Sequence, residues 1–433
     1  MIAMGKKRVG ISVIFILVIF PMFLWSLMMP LASRFGNFDM TATSLGEISG
    51  LLGMVLLTIT IILSGRFKFM EPYFGGLDRI YFWHHFLGGI ALISLLFHPI
   101  ILAIRFFGVS LHEAAVFLSP GNGAAMDFGI LGLLFLIILL IFTFFIKFPY
   151  KTWKITHKFL GVVFILAILH TFLIQSDVSM YWLLKIYMGI LVLCGLGALF
   201  YRTIFGNILP KKFTYSVDEI KKLNGGIVEI TMSARGERMG FKAGQYIFIS
   251  FKNGGVGGEI HPFSISSSGS DKNLKIIVKS LGKYTARIQN LKLGATARVE
   301  GPFGIFSYTN TSNKNQIWIA GGIGITPFLG MARSLSGGDY KIDLYYCAKN
   351  SSEMVFLSEM EKISMQNKNF RIIKICSDTR GRLGVQTINA LSGSILEKDF
   401  FLCGPLVMMK SMRKALLENG VPNKSIHSEE FNF

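Results

Sequence analysis

Up to about position 204 the chain is a succession of long apolar runs separated by short polar segments, whereas beyond 211 the apolar stretches shorten and begin to alternate. The long runs lie near 9–30, 44–64, 79–106, 126–146, 154–175 and 180–204. Each is long enough to cross a hydrocarbon core ~30 Å thick as a single helix. Further on, Phe213–Val217, Gly226–Met232 and Tyr246–Phe251 alternate, with glycine-rich turns between them, which predicts a small antiparallel β-barrel. From about 315, apolar strands at Gln316–Ala320, Ile342–Cys347, Phe370–Ile375 and Asp399–Cys403 are separated by helix-like stretches, the pattern of an α/β domain with a parallel sheet. The expected architecture is a membrane all-α six-helix bundle (1–208), an antiparallel β-barrel (209–309) and a nucleotide-type α/β domain (310–433).

Composition agrees with a membrane protein that carries a second, non-membrane part: 52% of the 433 residues are hydrophobic and the mean hydropathy is +0.52. The net charge of +19 does not point to nucleic acid, since no basic-aromatic binding motif accompanies it. The charge follows the loops instead. Lys6, Lys7 and Arg8 precede the first run, Arg66, Lys68 and Arg79 fall between the second and third, Lys147, Lys151 and Lys154 between the fourth and fifth, and Arg202, Lys211 and Lys212 after the sixth. The opposite loops hold only Arg34 and Arg105, so the positive-inside rule places both termini in the cytosol. The first run follows a signal-like basic segment, but it is long and lacks a clean cleavage site, so it reads as a permanent anchor. Cys194, Cys347, Cys376 and Cys403 form no CxxC pair, which argues against a disulfide framework or structural zinc.

Histidines inside the apolar runs carry the first chemical signal. An ionisable residue within a span is costly and marks function by default. The third run holds His84, His85 and His98, and the fifth His157 and His170. His84 and His98 are 14 residues apart, His157 and His170 are 13 apart, so each pair is separated by about 20 Å along its helix. Both runs leave the cytosol in the same direction. One imidazole from each therefore falls at an inner level and one at an outer level, the arrangement two stacked bis-histidine haems need. Thirteen residues miss the same helix face by ~140°, so the fifth run must kink or offer its ligands from different sides. Spacing alone leaves His85 open as an alternative to His84.

The run Leu77-Asp78-Arg79 followed by His84 and His98, and Trp153–Lys158 followed by His170, resemble the third and fifth helices of the NADPH oxidase and ferric reductase family. Matching Arg79 to the family's arginine selects His84 over His85. The resemblance implies two b-type haems held by His84, His98, His157 and His170, with a ferredoxin–NADP-reductase-like module behind them.

Gly244-Gln245-Tyr246 leads into a strand and is followed by His261-Pro262-Phe263-Ser264-Ile265-Ser266. An aromatic face beside hydroxyls suits a flavin ring. The string resembles the family's FAD motif, which implies that His261, Pro262, Phe263, Ser264 and Ser266 contact FAD, with Ser264 near the reactive edge. A basic turn carrying Lys279, Gly282 and Thr285 opens a helix and suits a diphosphate. Gly321-Gly322-Ile323-Gly324-Ile325-Thr326-Pro327 follows a strand, and its glycines let amides approach a phosphate. It departs from the G-x-G-x-x-G fingerprint and resembles the family's nicotinamide loop instead. Cys403-Gly404-Pro405 resembles the second nicotinamide motif, with Cys403 near the reacting ring. Terminal Phe433 resembles the aromatic that covers the flavin in related enzymes. Lys349, Ser377, Arg380 and Arg382 are candidates for a 2′-phosphate, which favours NADPH with NADH as an alternative.

The resemblance implies electron transfer from NADPH through FAD and two haems to dioxygen across a bacterial plasma membrane, producing superoxide. The same path also suits a ferric-chelate reductase. A transporter or proton conductor using the histidines as a relay is the reading from another class. No obligate protein partner and no calcium-binding loop are evident.

Overall fold

A computed structural model describes residues 2–205, 211–335 and 339–429. The chain divides into two compact units, one formed mainly by the apolar helices and the other by the strands and helices that follow.

Among the described residues six helices are long and apolar enough to cross a membrane: Val9–Leu27, Phe38–Leu63, Leu77–Ile104, Ala124–Phe144, Thr152–Leu173 and Trp182–Thr203. They are called spans one to six below. Span two is the interior helix, buried continuously from Gly53 to Ile61, and its start is fixed by Asn37, whose Oδ1 accepts the Met40 amide at 2.8 Å. Span five is two helices, Tyr150–Lys158 and Leu160–Leu173, joined at Phe159. There the Phe159 amide donates to the Thr156 carbonyl at 3.0 Å and the Val162 amide to the Phe159 carbonyl at 2.9 Å, a tightened three-residue turn. This is the break that the 13-residue histidine spacing demands.

Arg34, one of the two cations set aside in the loop count, is buried. It donates to Asp177 at 2.8 Å and to the Trp25 carbonyl at 3.0 Å, and lies 3.7 Å over the Trp25 ring. A buried guanidinium needs such a partner, because an unpaired charge there is costly.

The second unit opens with β1 (Lys212–Leu223), β2 (Ile227–Ala234), β3 (Tyr246–Lys252), β4 (His261–Ser264), β5 (Leu274–Lys279) and β6 (Thr296–Phe303). These form one antiparallel sheet in the order β4-β3-β6-β1-β2-β5. A bridge from Ile265 to Ile276, with the Ser266 amide donating to the Lys275 carbonyl at 2.9 Å, brings the two edges together and closes the barrel. Inward residues such as Val228, Ile230, Ile247, Ile249, Ile276 and Val299 fill it. Helix α1 (Lys283–Ile288) lies between β5 and β6.

Next come β7 (Asn315–Gly321), α2 (Ile325–Arg333), β8 (Lys341–Ala348), α3 (Leu357–Gln366), β9 (Phe370–Cys376), α4 (Val385–Ser392), β10 (Asp399–Cys403), α5 (Leu406–Glu418) and β11 (Ile426–Ser428). The sheet is parallel throughout, in the order β11-β10-β7-β8-β9. The chain proceeds outward from β7 to β9 and then returns to the other side of β7 with β10. The carboxyl ends of β7 and β10 therefore flank a topological switch point, where open α/β sheets place their ligands.

Candidate functional site

In the helical unit the histidines meet in two levels. The ring centres of His84 and His157 are 6.1 Å apart, and those of His98 and His170 are 6.2 Å apart. Metal–imidazole bonds of about 2 Å on opposite sides of one iron put the ring centres roughly 6 Å apart, so both pairs have the separation of a bis-imidazole site. His84 is the ring that faces His157, while the neighbouring His85 is exposed.

Neighbouring helices aim these rings through their main chain. Nδ1 of His84 lies 2.9 Å from the Thr60 carbonyl, Nδ1 of His98 2.7 Å from the Gly46 carbonyl, and Nδ1 of His170 2.8 Å from the Ala125 carbonyl. A carbonyl only accepts, so each Nδ1 carries the proton and each Nε2 is left with a lone pair for a metal. Glycines make the approach possible. A Cβ on Gly50 would stand 2.6 Å from Nδ1 of His98, and one on Gly129 2.6 Å from Nδ1 of His170. Among the described residues Nδ1 of His157 is buried without a hydrogen-bond partner, and its ring stacks on Trp153. The donor set therefore fits two haems. None of the carbonyl anchors was legible in the sequence, since main-chain acceptors carry no residue signature.

In the second unit the barrel and the parallel sheet border a cavity of about 1080 Å³, just above the roughly 300–1,000 Å³ range of small-molecule and cofactor sites. The barrel contributes Pro262, Phe263, Ser264, Lys279 and Thr285. The sheet contributes Gly321, Gly322, Gly324, Thr326, Pro327, Lys349, Arg382, Cys403, Gly404 and Pro405. Ser377 and Glu353 also line it. Glu353, unforeseen from the sequence, adds a carboxylate to the same lining, and its Oε2 accepts the Lys349 amide at 3.4 Å.

The glycines at the switch point are there for close approach. A Cβ on Gly324 would run into the Cys403 carbonyl oxygen and stand 2.7 Å from the Cα of Gly404, and one on Gly321 would stand 2.8 Å from Pro405 and Met408. Gly322 has φ +53°, a conformation that side chains rarely adopt. Two loops thus pack main chain to main chain at the edge of the cavity. Met408, missed in the sequence, roofs this crossing. Burial, and then the nearby Glu429 charge, push the Cys403 thiol up, so it is neutral at physiological pH. Burial likewise pushes Cys347 up to about 12.

Four predicted positions stand outside the lining. His261 stacks on Tyr284 at 3.9 Å and lies 3.2 Å from Glu259, which Arg287 also holds at 2.6 Å. Burial, the largest single influence, pushes Glu259 up, but the Arg287 and His261 contacts together outweigh it and hold the carboxyl below its usual range. The Ser266 carbonyl accepts from Arg333 at 2.8 Å, and its Oγ is buried without a partner among the described residues. Gly282 caps α1, where Thr285 Oγ1 accepts the Leu281 and Gly282 amides at 2.9 Å each. Arg380 lies on the short helix Ser377–Arg380 after β9. Phe433 lies outside the described residues.

Barrel and sheet are tied by Arg333 at the end of α2. It reaches Glu229 at 2.9 Å and Glu359 at 2.7 and 3.0 Å, in addition to the Ser266 carbonyl. Alongside, a Cβ on Gly330 would stand 2.7 Å from the Ile265 carbonyl, so α2 lies directly on the flavin-motif strand.

Residues 49–168 match the ferric reductase like transmembrane component, residues 212–326 an FAD-binding domain, and residues 318–414 an oxidoreductase NAD-binding domain. Among curated proteins, the chain is 28% identical over 209 residues to the glycine betaine monooxygenase reductase subunit of Chromohalobacter salexigens, covering 44% of this chain and 56% of that protein. It is 27% identical over 216 residues to flavohemoprotein B of Dictyostelium discoideum, covering 43% of this chain and 51% of that one. The chain thus spans little more than half the length of these relatives. Among solved structures, flavohemoglobin from Malassezia yamatoensis with bound FAD and heme superimposes with a TM-score of 0.49 at 18% identity, covering 79% of this chain and 95% of that one.

Proposed function

Because this chain has the architecture of the NADPH oxidases and ferric reductases, a ferric-reductase-like transmembrane component joined to FAD-binding and NAD-binding oxidoreductase domains, we propose that it carries electrons from NADPH on the cytosolic side to dioxygen on the far side, releasing superoxide. The reading rests on one observation above all, the two imidazole pairs at 6.1 and 6.2 Å. When bound, FAD accepts a hydride and the two haems pass its electrons on singly.

The chain's own residues bind, orient and insulate. Lys349, Ser377 and Arg382 at the cavity rim receive the 2′-phosphate of NADPH, and Glu353 in the same lining accepts from the ribose of NADH. The crossing of Gly321–Gly324 with Cys403-Gly404 presents the nicotinamide ring to the flavin, against which Phe263 and Ser264 lie. His84 and His157 would hold the inner iron, and His98 and His170 the outer. Irons held by these four histidines would have no place left for the acceptor to bind, so it would be reduced by single electrons without coordinating the metal. Both termini are cytosolic and the membrane is a bacterial plasma membrane, in keeping with the basic loops.

Purified protein supplemented with FAD should show a haem α-band in its reduced-minus-oxidised spectrum and consume NADPH only when oxygen is present. Cytochrome c reduction should be sensitive to superoxide dismutase. A flat difference spectrum refutes the reading, and ferric-chelate reduction without superoxide replaces dioxygen with a metal complex as acceptor.

A further inference from the structure

Helix α2 begins in the glycine loop at the switch point and ends against the flavin-motif strand. Its first turn lines the cavity with Thr326 and Pro327, and the Thr326 hydroxyl donates to the Ile323 carbonyl at 2.8 Å, which ties the helix to the loop it follows. Its far end meets four consecutive residues that follow β4. A Cβ on Gly330 would stand 2.7 Å from the Ile265 carbonyl and 3.3 Å from that of Ser267. The Arg333 guanidinium donates to the Ser266 carbonyl at 2.8 Å, and Ser334 Oγ, just past the helix, lies 3.0 Å from Ser268 Oγ. Between these ends every residue from Ile325 to Ala332 is buried, with the Phe328 ring 5.6 Å from those of both Trp318 and Phe306. At ~1.5 Å per residue the nine residues reach about 12 Å, a length that the helix's own hydrogen bonds hold fixed.

Arg333 registers the far end against both bodies that border the cavity. It reaches Glu229 on β2 of the barrel at 2.9 Å, and it grips Glu359 on α3 of the α/β domain with Nε at 2.7 Å and a terminal nitrogen at 3.0 Å. The Arg333 side chain is 13% exposed and that of Glu229 10%, so water does not replace these contacts. A planar fork of fixed donors serves acceptors on three elements at once, which a compact ammonium does not. Neither Arg333 nor Ser334 lines the cavity, so each acts on a ligand only through α2. We propose that α2 is a strut coupling the flavin site to the nicotinamide site, and that Arg333, which pins its far end, is a positioning residue for hydride transfer. This rests on the FAD and NAD(P)H reading above. Once FAD orders the motif strand at Ile265–Ser268, α2 is fixed, and with it the Gly321–Gly324 loop at its other end. The nicotinamide nucleotide then meets a loop already ordered and binds more tightly, and by reciprocity it tightens FAD by the same factor. The strut also sets how far the loop holds the nicotinamide from the flavin, a distance on which the transfer depends steeply.

The test is a calorimetric titration of the full-length protein in lipid nanodiscs with NADP+, in the absence of FAD and at saturating FAD. In the wild type FAD should tighten NADP+ about fivefold or more. Arg333→Lys should leave the NADP+ affinity of the FAD-free protein unchanged and abolish most of that gain. In stopped flow the same variant should slow NADPH-driven flavin reduction roughly tenfold and weaken the long-wavelength nicotinamide–flavin charge-transfer band. Dithionite, which needs no docking, should reduce its flavin at the wild-type rate. Ser334→Ala loses a single hydroxyl and decides the matter if Arg333→Lys does not accumulate; it should lose part of the coupling. An NADP+ affinity indifferent to FAD in the wild type, or full coupling and full transfer rate in both variants, would overturn the inference while leaving both sites in place. A wild type that binds no NADP+ with or without FAD is a different result, and it sinks the nucleotide reading itself.

Discussion

In the membrane half the candidate site consists of side chains, four imidazoles on two spans aimed largely by carbonyls of their neighbours. In the nucleotide half it consists mostly of main chain, bared by glycine where β7 and β10 end side by side. The contrast follows from the surroundings. A spanning helix satisfies its own amides and carbonyls, so chemistry there must come from side chains, and a shared carbonyl is the cheapest anchor for a ring. At the end of a parallel strand the amides are still free, and a loop without side chains offers them to phosphate and ribose. One half therefore fails when a ligand is lost, the other when a void is filled.

The sharpest way to separate the halves is His98→Leu or His170→Leu. Either should abolish the outer haem signal and transmembrane acceptor reduction, while NADPH-driven dye reduction by the nucleotide half persists; undiminished acceptor reduction in both would contradict the assignment. Next in size is Arg333→Leu, which leaves the buried Glu229 carboxylate unpaired between barrel and sheet. Losing one partner of a buried pair costs about 3–5 kcal/mol, read as a fall in the midpoint of flavin release on heating, with the haem spectrum unchanged. Gly324→Ala inserts a methyl group against Cys403 and Gly404. A nicotinamide displaced by about 1 Å should lose on the order of 10²-fold in kcat/KM, with haem content intact. Smallest is Arg382→Ala at the exposed rim, expected to weaken NADPH about tenfold and leave NADH unaltered. Equal effects on both nucleotides would remove Arg382 from the 2′-phosphate site.

Most of the fold was legible because two periodicities carry it. The six apolar runs became six spans with ends shifted by a few residues, and the alternating and apolar strands returned as a closed barrel and a parallel sheet. The glycine loops were legible too, since glycine is conspicuous where backbones meet. Arg333 was not, because nothing in Met331-Ala332-Arg333 announces that its guanidinium spans two domains. Nor was Arg34, whose partner Asp177 lies 143 positions away.

By itself the sequence determined that imidazoles would sit at two depths and that 13 residues could not repeat what 14 did. Depth follows from a fixed rise per residue, and facing from a fixed turn. Only the tertiary structure decided how the misfit is resolved, with a tightened turn at Phe159 that brings His157 opposite His84 and, among the described residues, leaves its Nδ1 without a carbonyl. Local rules fix where along a helix a side chain emerges; what it meets there depends on which helices pack beside it.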